Sequence, residues 1–299
     1  MDTSLKPMAI IRDAVTSMRP YQWLKNGLVF VPLVAAHRLD DLTLLALAVR
    51  SFIAFSLCAS AVYLLNDLRD LPNDRQHPYK RKRPIAAGRL PQAVAAGMVP
   101  VLLAVAGAVA APLGVAPGAV LGGYFLLMVG YSLGLKDVVL LDVLILAVGY
   151  ALRVVVGALA VGIAPSPWLV AFCIFFFFSL ALLKRYAEIN LTHAREGERA
   201  HARAYLLEDQ SLLVALGVST GNLSVLVLAV YTGSAKVEYL YRHPPVIWVT
   251  CILLLYWISH MWLVAHRGRM PDDPLRFALH DPLSWILVLL MAASAWIAV

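Results

Sequence analysis

Residues Asn66 to Gly88 read NDLRDLPNDRQHPYKRKRPIAAG, a polar island with apolar, helix-like sequence on either side. Asp67, Asp70 and Asp74 stand at i, i+3 and i+7, so a helix of about 3.6 residues per turn places them along one face. Carboxylates crowded on one face repel each other and are costly to desolvate beside a membrane. That arrangement calls for a multivalent cation, and magnesium (Mg2+) suits oxygen donors, keeps several waters and shares itself with a substrate phosphate. Asn66 adds an amide, and Lys80, Arg81, Lys82 and Arg83 follow directly. Arg offers phosphate oxygens a planar fork of donors, and Lys offers a compact charge. A solvated loop whose bases only obey the positive-inside rule is the plainer alternative. Spaced acids, an adjacent amide and a basic run closed by Pro84 and Gly88 together favour half of a metal-pyrophosphate site. Pro72 removes a helix donor and opposes the Leu68 carbonyl, so a kink there would turn Asp74 off the face shared by Asp67 and Asp70. His77 reads as a loop histidine.

Outward from this island, stretches able to cross about 30 Å of hydrocarbon as helices of roughly 20 residues are frequent. They fall near 20–37, 43–65, 93–112, 117–135, 138–162, 166–186, 211–232, 246–265 and 281–299. With 61% hydrophobic residues over 299 positions, the chain is too apolar for an ordinary soluble domain. The net charge of +7 comes without a basic stripe interleaved with aromatics, which excludes nucleic acid as a partner. Cys58, Cys173 and Cys251 sit in different apolar segments, so neither a disulfide nor zinc is expected. The first 26 residues lack an apolar run and a cleavage site, which argues against a removable signal; residues 1–19 read as an interfacial amphipathic lead-in.

The first span is the weakest, because Lys25 and Asn26 interrupt it and Pro32 would bend it. Counting it places the bases of the N-terminus, the 66–92 loop, the Lys136 turn, the 187–210 loop and the 266–280 loop on one side. Only Arg38, Lys236 and Arg242 remain opposite, as the positive-inside rule demands. The expected fold is all-α: a polytopic membrane protein, one domain over 1–299, a single bundle of about nine transmembrane helices. Its N-terminus would be cytoplasmic in a bacterial inner membrane, with the active site on the cytoplasmic loops 66–92 and 187–210.

A second polar cluster closes a long apolar stretch. Lys184 and Glu188 are spaced i, i+4 and project from one helix face, with Arg185 and Tyr186 between them. An intrahelical ion pair is the plainer reading, but Lys before Glu is the weaker order and is worth only tenths of a kcal/mol. Lys136 and Asp142 lie at the same end; an acid within a span is costly unless paired or facing water. Arg153 lies three helical turns deeper, where it either snorkels outward or balances a buried acid. Arg19, Lys25 and Asn26, entering the first span, are placed to meet a lipid phosphate or to serve as a plain interfacial anchor.

These blocks carry a resemblance. NDLRD followed by Asp74 is similar to the NDxxDxxxD motif of the UbiA superfamily of intramembrane prenyltransferases, and KRKRPIAAG looks like the basic segment that follows it there. RPYQWLKN at Arg19–Asn26, LDVLILAVGYALR at Leu141–Arg153 and LLKRYAEI at Leu182–Ile189 resemble the decaprenyl-phosphate phosphoribosyltransferase branch, in order over most of the chain. The resemblance implies Mg2+, phosphoribosyl pyrophosphate as donor, a polyprenyl phosphate lipid as acceptor, and a product that feeds arabinose-containing cell-wall polymers. It implies Asp67, Asp70, Lys184 and Glu188 as catalytic groups, and Asp67, Asp70 and Asp74 as metal ligands. Asn66, Lys80, Arg81, Arg83, Lys25, Asn26, Lys136, Asp142, Arg185 and Tyr186 would bind substrate.

Aromatic prenyltransferases of the superfamily carry a second acidic DxxxD motif where this chain has KRYAE. Replacing acids by bases there shifts the charge balance toward two anionic substrates. An aromatic prenyltransferase is therefore the second enzyme reading. A lipid-phosphate transporter is the reading from another class, disfavoured because the charges cluster at one end and no inverted repeat is visible. A homo-oligomer stays open.

Overall fold

The computed structural model describes residues 7–77, 79–196, 201–202, 205–234, 237, 241–271 and 273–299. Its helices are α1 (Pro7–Met18), α2 (Val31–Ala35), α3 (Leu42–Arg69), α4 (Leu71–Gln76), α5 (Gln92–Ala110) and α6 (Val115–Leu133). They continue with α7 (Leu141–Ala160), α8 (Pro167–Glu196), α9 (Gln210–Thr232), α10 (Ile247–His266), α11 (Pro274–His280) and α12 (Pro282–Ala298). The all-α expectation holds: among the described residues the strands are β1 (His201–Ala202) and β2 (Tyr205–Leu206), a two-residue antiparallel ladder with Ala202 opposite Tyr205.

Nine spans are not confirmed among the described residues. Among the described residues seven helices, α3 and α5 to α10, are long and apolar enough to cross a membrane. The pair α11 and α12, bent by 83°, makes an eighth if taken as one span. The bend has a local cause. Asp281 caps α12 by accepting from the Ser284 amide and hydroxyl, and Pro282 occupies the first turn, where a missing N–H costs nothing. The first expected span, 20–37, is a 3₁₀ helix from Pro20 to Phe30 followed by the short α2.

The chain forms two compact units, 1–135 with 152–165, and 136–151 with 166–299. In the first, the 3₁₀ segment and α2 run antiparallel along α3. Trp23 donates to Ser60 Oγ at 3.0 Å, Asn26 donates to Ser56 Oγ at 3.0 Å, the Phe30 and Phe52 rings lie 5.8 Å apart, and Leu33 shares a buried cluster with Ala48. A 3₁₀ helix rises about 2.0 Å per residue against 1.5 Å for α, so these 16 residues cover roughly 30 Å. A segment too short to count as an α-helical span therefore follows α3 over most of its length. Gly157 on α7 allows the close approach: a Cβ there would lie 2.0 Å from the Val29 carbonyl oxygen. One face of α1 packs Ile10, Ala14 and Met18 on the core of α3 and α5, while Met8, Ile11 and Val15 form an exposed apolar stripe suited to a membrane surface.

In the second unit, α8, α9 and α10 close on one another through small residues and aromatics. Ser179 donates to the Gly217 carbonyl at 2.6 Å and accepts from Trp262 Nε1 at 3.2 Å. Gly217 is required here, since a Cβ would lie 2.0 Å from the Trp262 ring.

Candidate active site

In the first unit the polar island folds around one arginine. α3 ends at Arg69 and α4 begins with Pro72 in its first turn, yet the chain stays helical in between: Asp70 N donates to Asn66 O at 2.9 Å and Asp74 N to Asp70 O at 2.8 Å. Arg83 Nη1 donates to Asp67 Oδ1 at 3.0 Å and to Asp74 Oδ2 at 2.6 Å. Pro72 thus does not turn Asp74 away, because it sits where its missing N–H and fixed φ are tolerated. Asp67 and Asp74 are 3% and 2% exposed. Asp70 accepts from Asn66 Nδ2 at 3.0 Å, and Asn66 Oδ1 in turn accepts from Ser132 Oγ at 3.3 Å, so the amide orients the carboxylate.

A second guanidinium reaches the same carboxylate. Arg19 Nη2 donates to Asp67 Oδ1 at 2.5 Å, and its guanidinium lies 5.0 Å over the Tyr63 ring. Arg19 has φ 56° and ψ 58°, a left-handed conformation uncommon for a residue with a Cβ. The corner between α1 and the 3₁₀ segment directs this side chain onto Asp67. The sequence suggests a lipid phosphate or the membrane interface for Arg19; the structure gives it a carboxylate.

The basic run is built from local geometry. His77 Nδ1 accepts from the backbone amides of Tyr79 and Lys80 at 3.2 and 3.3 Å, the role of a turn-closing loop histidine. Lys80, Arg81 and Lys82 are exposed, Arg83 is half-buried, and Ile85, Ala86 and Leu90 anchor the following turn in the core. Arg89 donates to the Lys82 carbonyl at 2.9 Å and pairs with Asp13 of α1 at 3.4 Å.

Asn26 does not join this cluster. It is 1% exposed, donates to Ser56 and accepts from Arg153 Nε at 2.8 Å, and Ser56 lies about 16 Å along α3 from Asp67. Arg153 does not snorkel outward: it is buried, donates to Tyr124 Oη at 3.3 Å, and lies 4.8 Å over the Phe55 ring. Both residues fasten the 3₁₀ segment. The neighbouring Lys25 is half-buried.

The second unit holds a cluster of its own. Asp142 is fully buried; its Oδ2 accepts from Arg185 Nε at 2.8 Å and its Oδ1 from Tyr205 Oη at 2.6 Å. Arg185 also donates to Glu188 Oε2, and Lys184 Nζ lies 3.8 Å from Glu188 Oε1. Asp142 and Arg185 are buried, Arg185 links Asp142 to Glu188, and Glu188 and Lys184 remain partly exposed. Tyr186, also buried, shares a hydrogen bond of 3.3 Å with His266 Nδ1, and Lys136 is half-buried in the turn before α7. Tyr205 is silent in the sequence, where one tyrosine in the 187–210 loop carries no signal. Burial, with the adjacent Asp142 carboxylate, pushes its phenol pKa up, so it remains a donor. Its oxygen also accepts from the Leu140 amide at 2.9 Å. The stretch 197–200, residues 203 and 204, Lys236 and Pro78 lie outside the described residues.

Among the described residues no three His, Cys, Asp or Glu side chains converge as a ready-made metal cage. The donor set nevertheless fits a hard cation. Asp67 and Asp74 present buried carboxylate oxygens to one shared cationic atom, Arg83 Nη1, and waters with substrate phosphates would complete the shell.

A family model described as the UbiA prenyltransferase family matches residues 28–287. An uncharacterised protein of Sinorhizobium fredii is 35% identical over 95% of the chain, which spans 55% of that longer protein. The nodulation protein NoeC of Azorhizobium caulinodans is 35% identical over 92% of the chain and 89% of its own length. A decaprenyl-phosphate phosphoribosyltransferase of Mycobacterium tuberculosis is 30% identical over 98% of the chain and 94% of its own length. The solved structure of a UbiA homolog from Archaeoglobus fulgidus bound to DMAPP and Mg2+ superposes with a TM-score of 0.68 at 15% identity, covering 96% of this chain and 99% of that one.

Proposed function

The chain belongs to the UbiA prenyltransferase family, and from that membership we propose that it transfers the 5-phosphoribosyl group of phosphoribosyl pyrophosphate to a polyprenyl monophosphate in a bacterial inner membrane. The observation that carries this reading is the second cluster. Where the aromatic prenyltransferases would place acids, this chain has Lys184, Arg185 and Glu188, with Arg185 locked on Asp142 and Lys184 left at the surface. A site of mixed charge suits two anionic substrates better than a second metal-binding acidic motif does. The mycobacterial relative's name supports the same transferred group and lipid acceptor.

Asp67 and Asp74, with Asp70 beside them, would hold magnesium, which when bound supplies charge neutralisation to the departing pyrophosphate. Lys80, Arg81 and Arg83 line the same loop and add cationic contacts to the phosphates. The new bond forms between the anomeric carbon and an oxygen of the lipid phosphate. The bond from that carbon to pyrophosphate breaks, and its electron pair leaves with pyrophosphate. The acceptor is already an anion, so no side chain has to remove a proton and His77 keeps its structural role.

The test offers purified protein two substrate pairs with Mg2+: phosphoribosyl pyrophosphate with decaprenyl phosphate, and a prenyl diphosphate with 4-hydroxybenzoate. Mass spectrometry should find the phosphoribosyl lipid and no prenylated benzoate. The aromatic product without the ribosyl lipid would replace this reading with the aromatic one.

A further inference from the structure

Two arginines crowd one buried carboxylate, and they are held very differently. Arg19 is fixed: it sits at a left-handed corner, is packed over Tyr63, and follows α1, one face of which is anchored in the core through Ile10, Ala14 and Met18. Arg83 is not fixed in this way. It follows the exposed run Lys80–Lys82, its side chain is 27% exposed, and it spans Asp67 and Asp74 from the loop side. Its Nη1 occupies the position between two buried carboxylates where a divalent cation would sit.

We infer that Arg83 is a resident counter-ion of Asp67 and Asp74 that exchanges places with the divalent cation, and that Arg19 is the positioning residue that keeps Asp67 in place during the exchange. This rests on Asp67 and Asp74 being the metal-holding acids of the proposed reaction. Without a cation, two buried carboxylates facing one site would repel each other. Arg83 bridges them and holds both preorganised. A divalent cation entering between them repels the guanidinium, which has solvent on its loop side to move into. The displaced arginine is then next to the phosphates that arrive with the metal, where its fork makes charge-assisted bonds. Metal entry and phosphate capture thereby become one coupled event, and the coupling is reciprocal. A single charge thus serves the acids before loading and the diphosphate after it.

The measurement is Mn2+ binding to detergent-purified protein, read as loss of the free-ion electron paramagnetic resonance signal, without any phosphate substrate. Arg83→Gln should bind Mn2+ more tightly than the parent, by roughly tenfold or more, because a competing positive charge is gone. Adding guanidinium chloride at millimolar level should weaken Mn2+ binding by this variant and leave the parent unchanged. Arg19→Gln should instead loosen Mn2+ binding, since Asp67 loses its fixed partner. On the parent itself, peptide mass spectrometry after phenylglyoxal treatment should show Arg83 becoming more reactive when Mn2+ is added, a readout that needs no variant. Equal or weaker Mn2+ binding by Arg83→Gln, or unchanged Arg83 reactivity, overturns the exchange while leaving the metal reading standing, provided Asp67→Asn abolishes Mn2+ binding. If Asp67→Asn binds Mn2+ like the parent, the metal reading fails and the exchange falls with it.

Discussion

At the scale of single residues, the two clusters make different demands. Asp142 is one of two carboxylate partners of the buried Arg185: breaking a buried pair costs up to about 3–5 kcal/mol when the remaining charge is left uncompensated, and Glu188, the second partner, offsets part of that. Asp142→Ala should therefore lower the unfolding midpoint strongly, and Tyr205→Phe, which deletes one charge-assisted bond worth about 1.5–3 kcal/mol, should lower it less. Thermal unfolding of both variants in matched detergent checks the order. In the basic run the side chains separate by geometry. Arg83→Lys cannot keep the bridge to two carboxylates or the fork for phosphate, so catalytic efficiency should fall roughly tenfold to a hundredfold. Lys82→Ala should be mild, because Lys82 is exposed and its contact to Arg89 is made by the backbone carbonyl. Initial rates against donor concentration distinguish the two. The acids and bases are legible in the sequence because charge is conspicuous in an apolar chain. The roles of Arg19 and Tyr205 are not, since their meaning depends on partners 48 and 63 residues away.

At the scale of elements, the long apolar helices are plain from the sequence and the first segment is not. Counting residues assumes the α rise, and Pro20, Lys25, Asn26 and Pro32 make 20–37 look interrupted. The segment resolves that conflict by winding as 3₁₀ helix, with its polar residues turned to Ser56, Ser60 and Arg153. If it crosses the membrane alongside α3, a cysteine at Arg12 should be labelled from the same side as one at Ala87, and one at Asp40 from the other. An impermeant maleimide applied to sealed vesicles of known orientation reads this directly; Arg12→Cys and Asp40→Cys labelled from one side would remove the crossing. The close approach of Gly157 to Val29 belongs to the same element. Gly157→Ala has no room for its methyl and should cost about 1–3 kcal/mol of stability, seen as a lower unfolding midpoint.

At the scale of the whole molecule, the fold is shared with a UbiA homolog bound to DMAPP and Mg2+, so the chemistry follows from the sites and not from the bundle. Both polar clusters stand out in the sequence as motifs, while their internal wiring depends on how the chain folds back on itself. Asp74 stays with Asp67 despite Pro72, and Asn26 leaves the site for Arg153. In the proposed reaction this membrane protein moves a phosphoribosyl group, not a prenyl group, and Asp67 is essential to the transfer. The most direct measurement uses phosphoribosyl pyrophosphate carrying ³²P either at the 5-phosphate or at the terminal pyrophosphate position, with decaprenyl phosphate and Mg2+. The proposed reaction carries the 5-phosphate label into the organic phase and leaves the pyrophosphate label in water, and both Asp67→Ala and EDTA should abolish the transfer. Failure of the 5-phosphate label to enter the lipid, or full transfer by Asp67→Ala, would contradict it.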